Sequence, residues 1–255
     1  MSNVSNMSMV AILSYQAQVR VVCQAKVSFI INSTDFLLIR GLIFAGCGSN
    51  RITSVTKFMV KNVLFLGQKD HTGTTLEIVL TNSVITNCSF VDNRFGKYHG
   101  PFKVWKLSIH AHIGGAIIAN QSNMTITETK FEGNTAEIGG AIFATLGSNV
   151  TIIKSNFKAT CLTNTTCVGG VLYSETDCTD TRGPTPPNRT KVSVVESHFR
   201  SNSATYGGVL GAYTTALSVF LYAHSTAIQQ QNMVEWCGLK LEQKCWLTEV
   251  ILLTI

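Results

Sequence analysis

The 255-residue sequence predicts an all-β protein, a right-handed single-stranded parallel β-helix of about six to seven coils, on three observations. Six phenylalanines, Phe44, Phe65, Phe90, Phe131, Phe157 and Phe199, each close a short strand-like segment, and these segments align without an internal gap. Five residues before each Phe stand Ile39, Val60, Ile85, Ile126, Ile152 and Val194, and seven before it Leu37, Phe58, Ser83, Met124, Val150 and Val192. A pair of glycines followed by two apolar residues then recurs at Gly114-Gly115-Ala116-Ile117, Gly139-Gly140-Ala141-Ile142, Gly169-Gly170-Val171-Leu172 and Gly207-Gly208-Val209-Leu210. Self-similarity at this period marks a solenoid, in which each repeat stacks on its neighbours.

The elements follow from the spacing of the columns. Two before the Phe stand Leu42, Val63, Cys88, Thr129, Ser155 and Ser197, so the inward columns lie two, three and two residues apart. Strand alternation is therefore broken once, where an extra residue lets the chain bend into a new strand. The segments VTIIKSNF (150–157) and VSVVESHF (192–199) are rich in β-branched residues and lack an apolar stripe of period 3.6, which argues against a helical solenoid. Stacking places like columns about 4.8 Å apart, Phe above Phe. Gly-Gly suits a corner that needs positive φ, with the next Ala or Val entering the core. Asn93, Asn134 and Asn202, three residues after the Phe, are expected at another corner, where Cys47, Gln68 and Thr160 are the exceptions. Intervals of 21, 25, 41, 26 and 42 residues between the Phe columns describe a coil of 21 to 26 residues with insertions in two places. Residues 1–30 are read as an incomplete N-terminal coil or cap, 31–215 as the repeat domain and 216–255 as a C-terminal cap or irregular tail, with a further strand conceivable in 217–227.

Composition narrows the function classes. Charged residues make up 13% and AVILMFWYC 45%, which excludes a disordered chain. The net charge of +6 is spread along the sequence, whereas a nucleic-acid binder concentrates it in a stripe. None of the eight cysteines forms the CxxC pair of a structural zinc site. Cys88 stands in an inward column and is expected to be a packed free thiol. Cys161, Cys167 and Cys178, and separately Cys237 and Cys245, have spacings suited to local disulfides.

Nine Asn-x-Ser/Thr sequons begin at Asn3, Asn6, Asn32, Asn87, Asn120, Asn123, Asn149, Asn164 and Asn188, against roughly three or four by chance, which favours a glycosylated, extracellular protein. A competing origin exists, since Asn82, Asn123 and Asn149 all lie eight before a Phe, where a turn selects Asn. Residues 1–20 make a poor signal peptide, so the chain is expected to be part of a longer surface protein. No apolar run reaches the roughly twenty residues of a membrane-spanning helix.

The segment Phe131-Glu132-Gly133-Asn134, followed by Gly139-Gly140-Ala141-Ile142, resembles the paired FxxN and GGA[ILV] repeat of polymorphic outer-membrane proteins. Phe199 to Asn202 with Gly207-Gly208-Val209-Leu210 repeats it at the same offset, and four copies cover about half of the chain. The repeat is also similar to that of large β-helix surface proteins of simple animals, toward which the sequons and cysteines point. This resemblance implies a pectin-lyase-like solenoid used in adhesion, which in the bacterial relatives precedes a membrane β-barrel that is not visible in this sequence.

Catalysis in such a fold requires paired carboxylates, or an Asp cluster beside a basic residue. Asp35, Asp70 and Asp92 share no column, and Asp177 and Asp180 lie in a Cys- and Pro-rich stretch, so no catalytic residue is assigned. His110 and His112 alternate on a strand without a third ligand nearby, and neither a metal nor a cofactor is expected. The insertion at residues 94–112 holds Lys97, Tyr98, His99, Lys103, Trp105 and Lys106 with no acid, a composition suited to a sugar face or an anionic glycan. The expectation is a non-catalytic extracellular or cell-surface protein that recognises glycans or surface proteins, and not nucleic acid, through loops on a rigid solenoid. The alternatives are a polysaccharide lyase or hydrolase of the same fold and a structural spacer.

Overall fold

The structure is a computed structural model and describes residues 6–10, 19–23, 30–70, 74–95, 115–136, 138–158, 171–175, 190–200, 202, 210–213, 218–222, 237–240 and 249–253. The described elements are β-strands, all in three parallel sheets visited in rotation by the chain except Lys69–Asp70 and Arg94–Phe95, which pair as a short fourth, and this makes a parallel β-helix. The first sheet holds nine strands: Asn6–Val10, Phe36–Arg40, Lys57–Lys61, Asn82–Thr86, Asn123–Thr127, Asn149–Ile153, Lys191–Val195, Ser218–Tyr222 and Glu249–Leu253. The second, shorter-stranded, runs from Val19–Val22 through Leu42–Ala45, Leu64–Leu66, Ser89–Val91, Lys130–Glu132 and Asn156–Lys158 to His198–Phe199. Eight strands form the third, from Ile30–Asn32 through Asn50–Thr53, Leu76–Val79, Ile117–Asn120, Ile142–Thr145, Leu172–Glu175 and Leu210–Tyr213 to Cys237–Lys240. Strands outnumber the six Phe columns because coils at both ends continue the sheets without Phe; in the first, Val21 pairs with Phe44. Among the described residues, no helix is long and apolar enough to cross a membrane.

The interior is built from ladders. Phe44, Phe65, Phe90, Phe131, Phe157 and Phe199 stack with ring centroids 4.7 to 5.3 Å apart and nearly parallel planes, a spacing close to the strand separation itself. Five of the rings are buried, and Phe199 packs against them half-buried. Beside them run Leu37, Phe58, Ser83, Met124, Val150 and Val192, and then Ile39, Val60, Ile85, Ile126, Ile152 and Val194, all buried. Ala116, Ala141 and Val171, the residues after the glycine pairs, enter the same core.

Each corner is a ladder as well. Between the first and second sheets one residue turns the chain at positive φ: Gly41, Asn62, Asn87, Glu128, Lys154 and Glu196. Its N–H still donates to a carbonyl of the next coil, as in Asn62 to Thr86, Asn87 to Thr127 and Glu128 to Ile153, so the backbone pairing runs on around the bend. A second set of left-handed residues, Gly46, Gly67, Asp92 and Gly133, turns the chain toward the third sheet, and Ser33, Ser54, Leu80, Gln121 and Leu146 return it to the first. That conformation costs a non-glycine residue about 1–2 kcal/mol, which the unbroken inter-coil bonding offsets.

The residue after these turns faces inward, and where it bears a hydroxyl it satisfies the neighbouring coil. Thr129 N donates to Ser155 Oγ (3.2 Å) and Ser155 N to Ser197 Oγ (3.1 Å). Thr81, Ser122 and Ser148 form a matching hydroxyl ladder at the corner between the third and first sheets, with N···Oγ distances of 3.2 Å. At the remaining corner Asn93 and Asn134, two of the three expected asparagines, are buried, and Asn202 is half-buried. Asn134 Nδ2 donates to Phe90 O (2.9 Å), and Asn93 Nδ2 to Asn134 Oδ1 (2.8 Å).

The glycine pairs act in two ways. Gly139 has φ +62, whereas Gly115 is needed for contact, because a Cβ there would strike the Gly140 carbonyl and the Thr135 backbone. Cys88 is a free, buried thiol. A disulfide links Cys23 to Cys47, 24 residues apart and so across one coil; the spacings in the sequence did not point to it. Cys161, Cys167, Cys178 and Cys245 lie outside the described residues.

Candidate functional site

Since the interior is filled, chemistry open to a partner lies on the outer faces, which differ from one another. On the first sheet the outward residues alternate with the buried columns. Across its middle run the half-buried Leu38, Met59, Val84, Thr125, Thr151 and Ser193, and along one edge Arg40, Lys61, Thr86, Thr127, Ile153 and Val195. The opposite edge carries an exposed amide ladder, in which Asn82 Nδ2 donates to Thr56 O (3.2 Å) and Asn123 Nδ2 to Asn82 Oδ1 (3.0 Å).

The second sheet changes character along the stack. Ile43, Leu64, Leu66 and Val91 are half-buried on its early strands, and Lys130, Glu132, Lys158 and His198 follow on the later ones. Glu132 is paired with Lys130 (2.5 Å) and Lys158 (3.6 Å). The hydrogen bond and charge of Lys130, with a smaller contribution from Lys158, hold its carboxyl below the ordinary value. Lys154 and Glu196 form a further exposed pair at 3.6 Å.

The third sheet is covered on the outside of its middle strands, whereas Ile30 and Arg51 in the same column on its early strands are exposed. Ile118, Phe143 and Tyr173 form a second apolar cluster, with Phe143 and Tyr173 stacked at 5.5 Å and Ile138 packed against it. On the same face the buried Glu77 stands 3.6 Å from Arg51.

The residues singled out in the sequence are distributed over these surfaces. Lys97, Tyr98, His99, Lys103, Trp105, Lys106, His110 and His112 lie outside the described residues, as do Asn164 and Asn188. Of the sequon asparagines, Asn32, Asn87, Asn123 and Asn149 are exposed. Asn123 and Asn149 are register neighbours, so glycans on both would emerge one strand spacing apart. Asn120 differs: its Oδ1 is buried without a partner, and the Ser122 hydroxyl of its sequon is buried and donates to Ile78 and Asn120 carbonyls. Asp35 and Asp92 are exposed at different corners and are not brought together. No group of three His, Cys, Asp or Glu side chains able to hold a metal occurs among the described residues.

Burial at Cys88 desolvates the thiolate and pushes the thiol up to about 11, with hydrogen bonds from the backbone of neighbouring residues opposing the shift only in part. Such a thiol is unreactive in the folded protein. Two features escaped the sequence columns. The first-coil disulfide was hidden because its coil has Val21 where the others have Phe. The covered face of the third sheet involves the strand after the glycine pair, whose outward positions the Phe alignment does not reach. No family model, curated protein or solved structure matches this chain.

Proposed function

We propose that this is a non-catalytic extracellular or cell-surface protein that serves adhesion or recognition through loops on a rigid β-helix. The observation that carries the reading is the indifference of the stack to insertions. Phe90 pairs in register with Phe131 across 41 residues of sequence, and Phe157 with Phe199 across 42, as closely as Phe131 pairs with Phe157 across 26. A frame that tolerates added chain without losing register suits the display of variable segments, which is where binding residues collect. The Cys23–Cys47 disulfide and the exposed sequons at Asn32, Asn87, Asn123 and Asn149 support an oxidising, secretory route. The resemblance to the FxxN and GGA[ILV] repeat supports adhesion. The basic, aromatic insertion at 94–112 is the segment nominated for glycan contact.

The test pairs a capture assay with a depolymerisation assay on the same polysaccharides, using the intact protein and a variant with residues 97–112 replaced by a short Gly-Ser linker. Capture of a glycan or surface protein that is lost in the variant, with unchanged unfolding and no shortening of any polysaccharide, is the expected result. Cleavage of polysaccharide by the intact protein would instead assign it to the carbohydrate-active enzymes.

A further inference from the structure

Among the described residues some cations are paired with an acid and others are not. In the later coils Lys130, Lys154 and Lys158 are each paired with a glutamate. On the first sheet Arg40, Lys57 and Lys61 are exposed on two adjacent strands and Lys191 stands alone on a later one, and none of them forms an ion pair among the described residues. The six strands from Phe36–Arg40 to Lys191–Val195 contain no Asp or Glu. Asp35, at the corner before Phe36, is exposed and forms no ion pair among the described residues.

Arg40 and Lys61 stand in register on adjacent strands, so two like charges are held about one strand spacing, ~4.8 Å, apart at the backbone. Like charges directly opposite each other oppose sheet formation, and nothing in the described surroundings relieves them. Lys57 lies four residues before Lys61 on the same strand, about 13 Å away. Between these cations Leu38 and Met59 stand in register, apolar and half-buried. The flanking strands Asn6–Val10 and Asn82–Thr86 carry no charge, which confines the positive patch to two strands.

We propose that Arg40, Lys57 and Lys61 form a site for a linear anionic glycan, with sulfate or carboxylate groups between the cations and a sugar face on Leu38 and Met59. This rests on the recognition reading above and adds a second site to it, on the frame and not on a loop. Size favours the glycan over a protein: two five-residue strands offer roughly 150–200 Å², against about 800 Å² per partner in a stable protein interface. Single-stranded nucleic acid needs exposed aromatic platforms, and the one ring here, Phe36, is half-buried. A bilayer needs protruding apolar groups, whereas Leu38 and Met59 are half-buried. Exposed ion pairs are individually weak, so binding is salt-sensitive and grows with the length of the glycan.

The experiment measures affinity of the intact protein for heparin, using an Arg40→Gln/Lys57→Gln/Lys61→Gln variant and a charge-matched Lys130→Gln/Lys154→Gln/Lys158→Gln variant, each checked for an unchanged melting transition. Binding that weakens about tenfold in the first and less than twofold in the second is expected. Equal losses would reduce the effect to net charge and overturn the site. Phosphatidylserine vesicles or oligothymidine binding more tightly than heparin would overturn the glycan assignment. Loss confined to a Lys97→Ala/Lys103→Ala/Lys106→Ala variant would overturn this site while leaving loop recognition standing. No heparin binding by the intact protein would overturn the site too, and the capture assay above would then judge the recognition reading separately.

Discussion

At the corner between the first and second sheets, Leu42 and Val63 face inward in the early coils, where Thr129, Ser155 and Ser197 face inward in the later ones. Cys88 stands at the junction: its N–H already lies within reach of the Thr129 hydroxyl (3.5 Å), while its thiol packs in the lumen. The exteriors change over the same stretch. Leu38, Met59 and Val84 give way to Thr125, Thr151 and Ser193, and the unpaired cluster of Arg40, Lys57 and Lys61 gives way to the ion-paired Lys130, Lys154 and Lys158. The Phe ladder and its two companion columns run through both halves without a matching change. The lesson is a division of labour: the Phe ladder and its companion columns repeat because every coil packs on the next, whereas the corner column and the outer surface are free to differ because neighbouring coils meet there through hydrogen bonds.

If the interior is uniform, Phe65→Ala and Phe131→Ala should be equally damaging, each losing about 3–5 kcal/mol in denaturant unfolding. Costs differing by more than a factor of two would break the comparison. The junction can be sharpened by pH. A thiol ionises from an ordinary value of 9.0 in the unfolded chain and from about 11 at Cys88 in the folded one. Between those values the unfolded state has released a proton that the folded state keeps, so stability is intact below pH 9.0 and falls by about 1.4 kcal/mol per pH unit on the way to 11. Cys88→Ser lacks this loss, and the difference between the two unfolding curves across the window reads it directly.

A smaller effect separates the two corner chemistries. Ser155→Ala deprives the buried Thr129 N–H of its acceptor and should cost about 1–2 kcal/mol. A neutral outcome would mean that the later corner packs like the earlier one and its hydroxyls are incidental. On the exterior, Lys154→Gln should lose no more than about 0.5 kcal/mol, and Arg40→Gln should hold or gain a few tenths, about 0.3 kcal/mol, by relieving Lys61. Equal losses in both would erase the contrast between paired and unpaired cations.

Much of the frame could be read before any coordinates. The three-residue step between the Ile39 and Leu42 columns located the first corner, and the structure places a single left-handed residue in that step in every coil from Gly41 to Glu196. The second hydroxyl ladder was not legible in the same way. Its column lies ten residues before the Phe at Thr34 and at Val55, which joins only through its N–H, but nine before it at Thr81, Ser122 and Ser148, because Asp35 and Thr56 each add a residue to the early corner. A column search without gaps passes over such a shift. The outer cluster of Ile118, Phe143 and Tyr173 reads in sequence as alternating strand residues, and only the packing of Ile138 on them reveals a covered face.

By itself the sequence determined the period, the strands and the identity of the inward columns, because residues that must stack on copies of themselves leave a periodic record in the chain. Which surface charges are neutralised, which asparagines are exposed, and that Cys23 meets Cys47 were decided by the tertiary structure alone. Those relations join residues of different coils, and the distances between them are set by where the insertions fall and how each corner turns, neither of which is written in any single repeat.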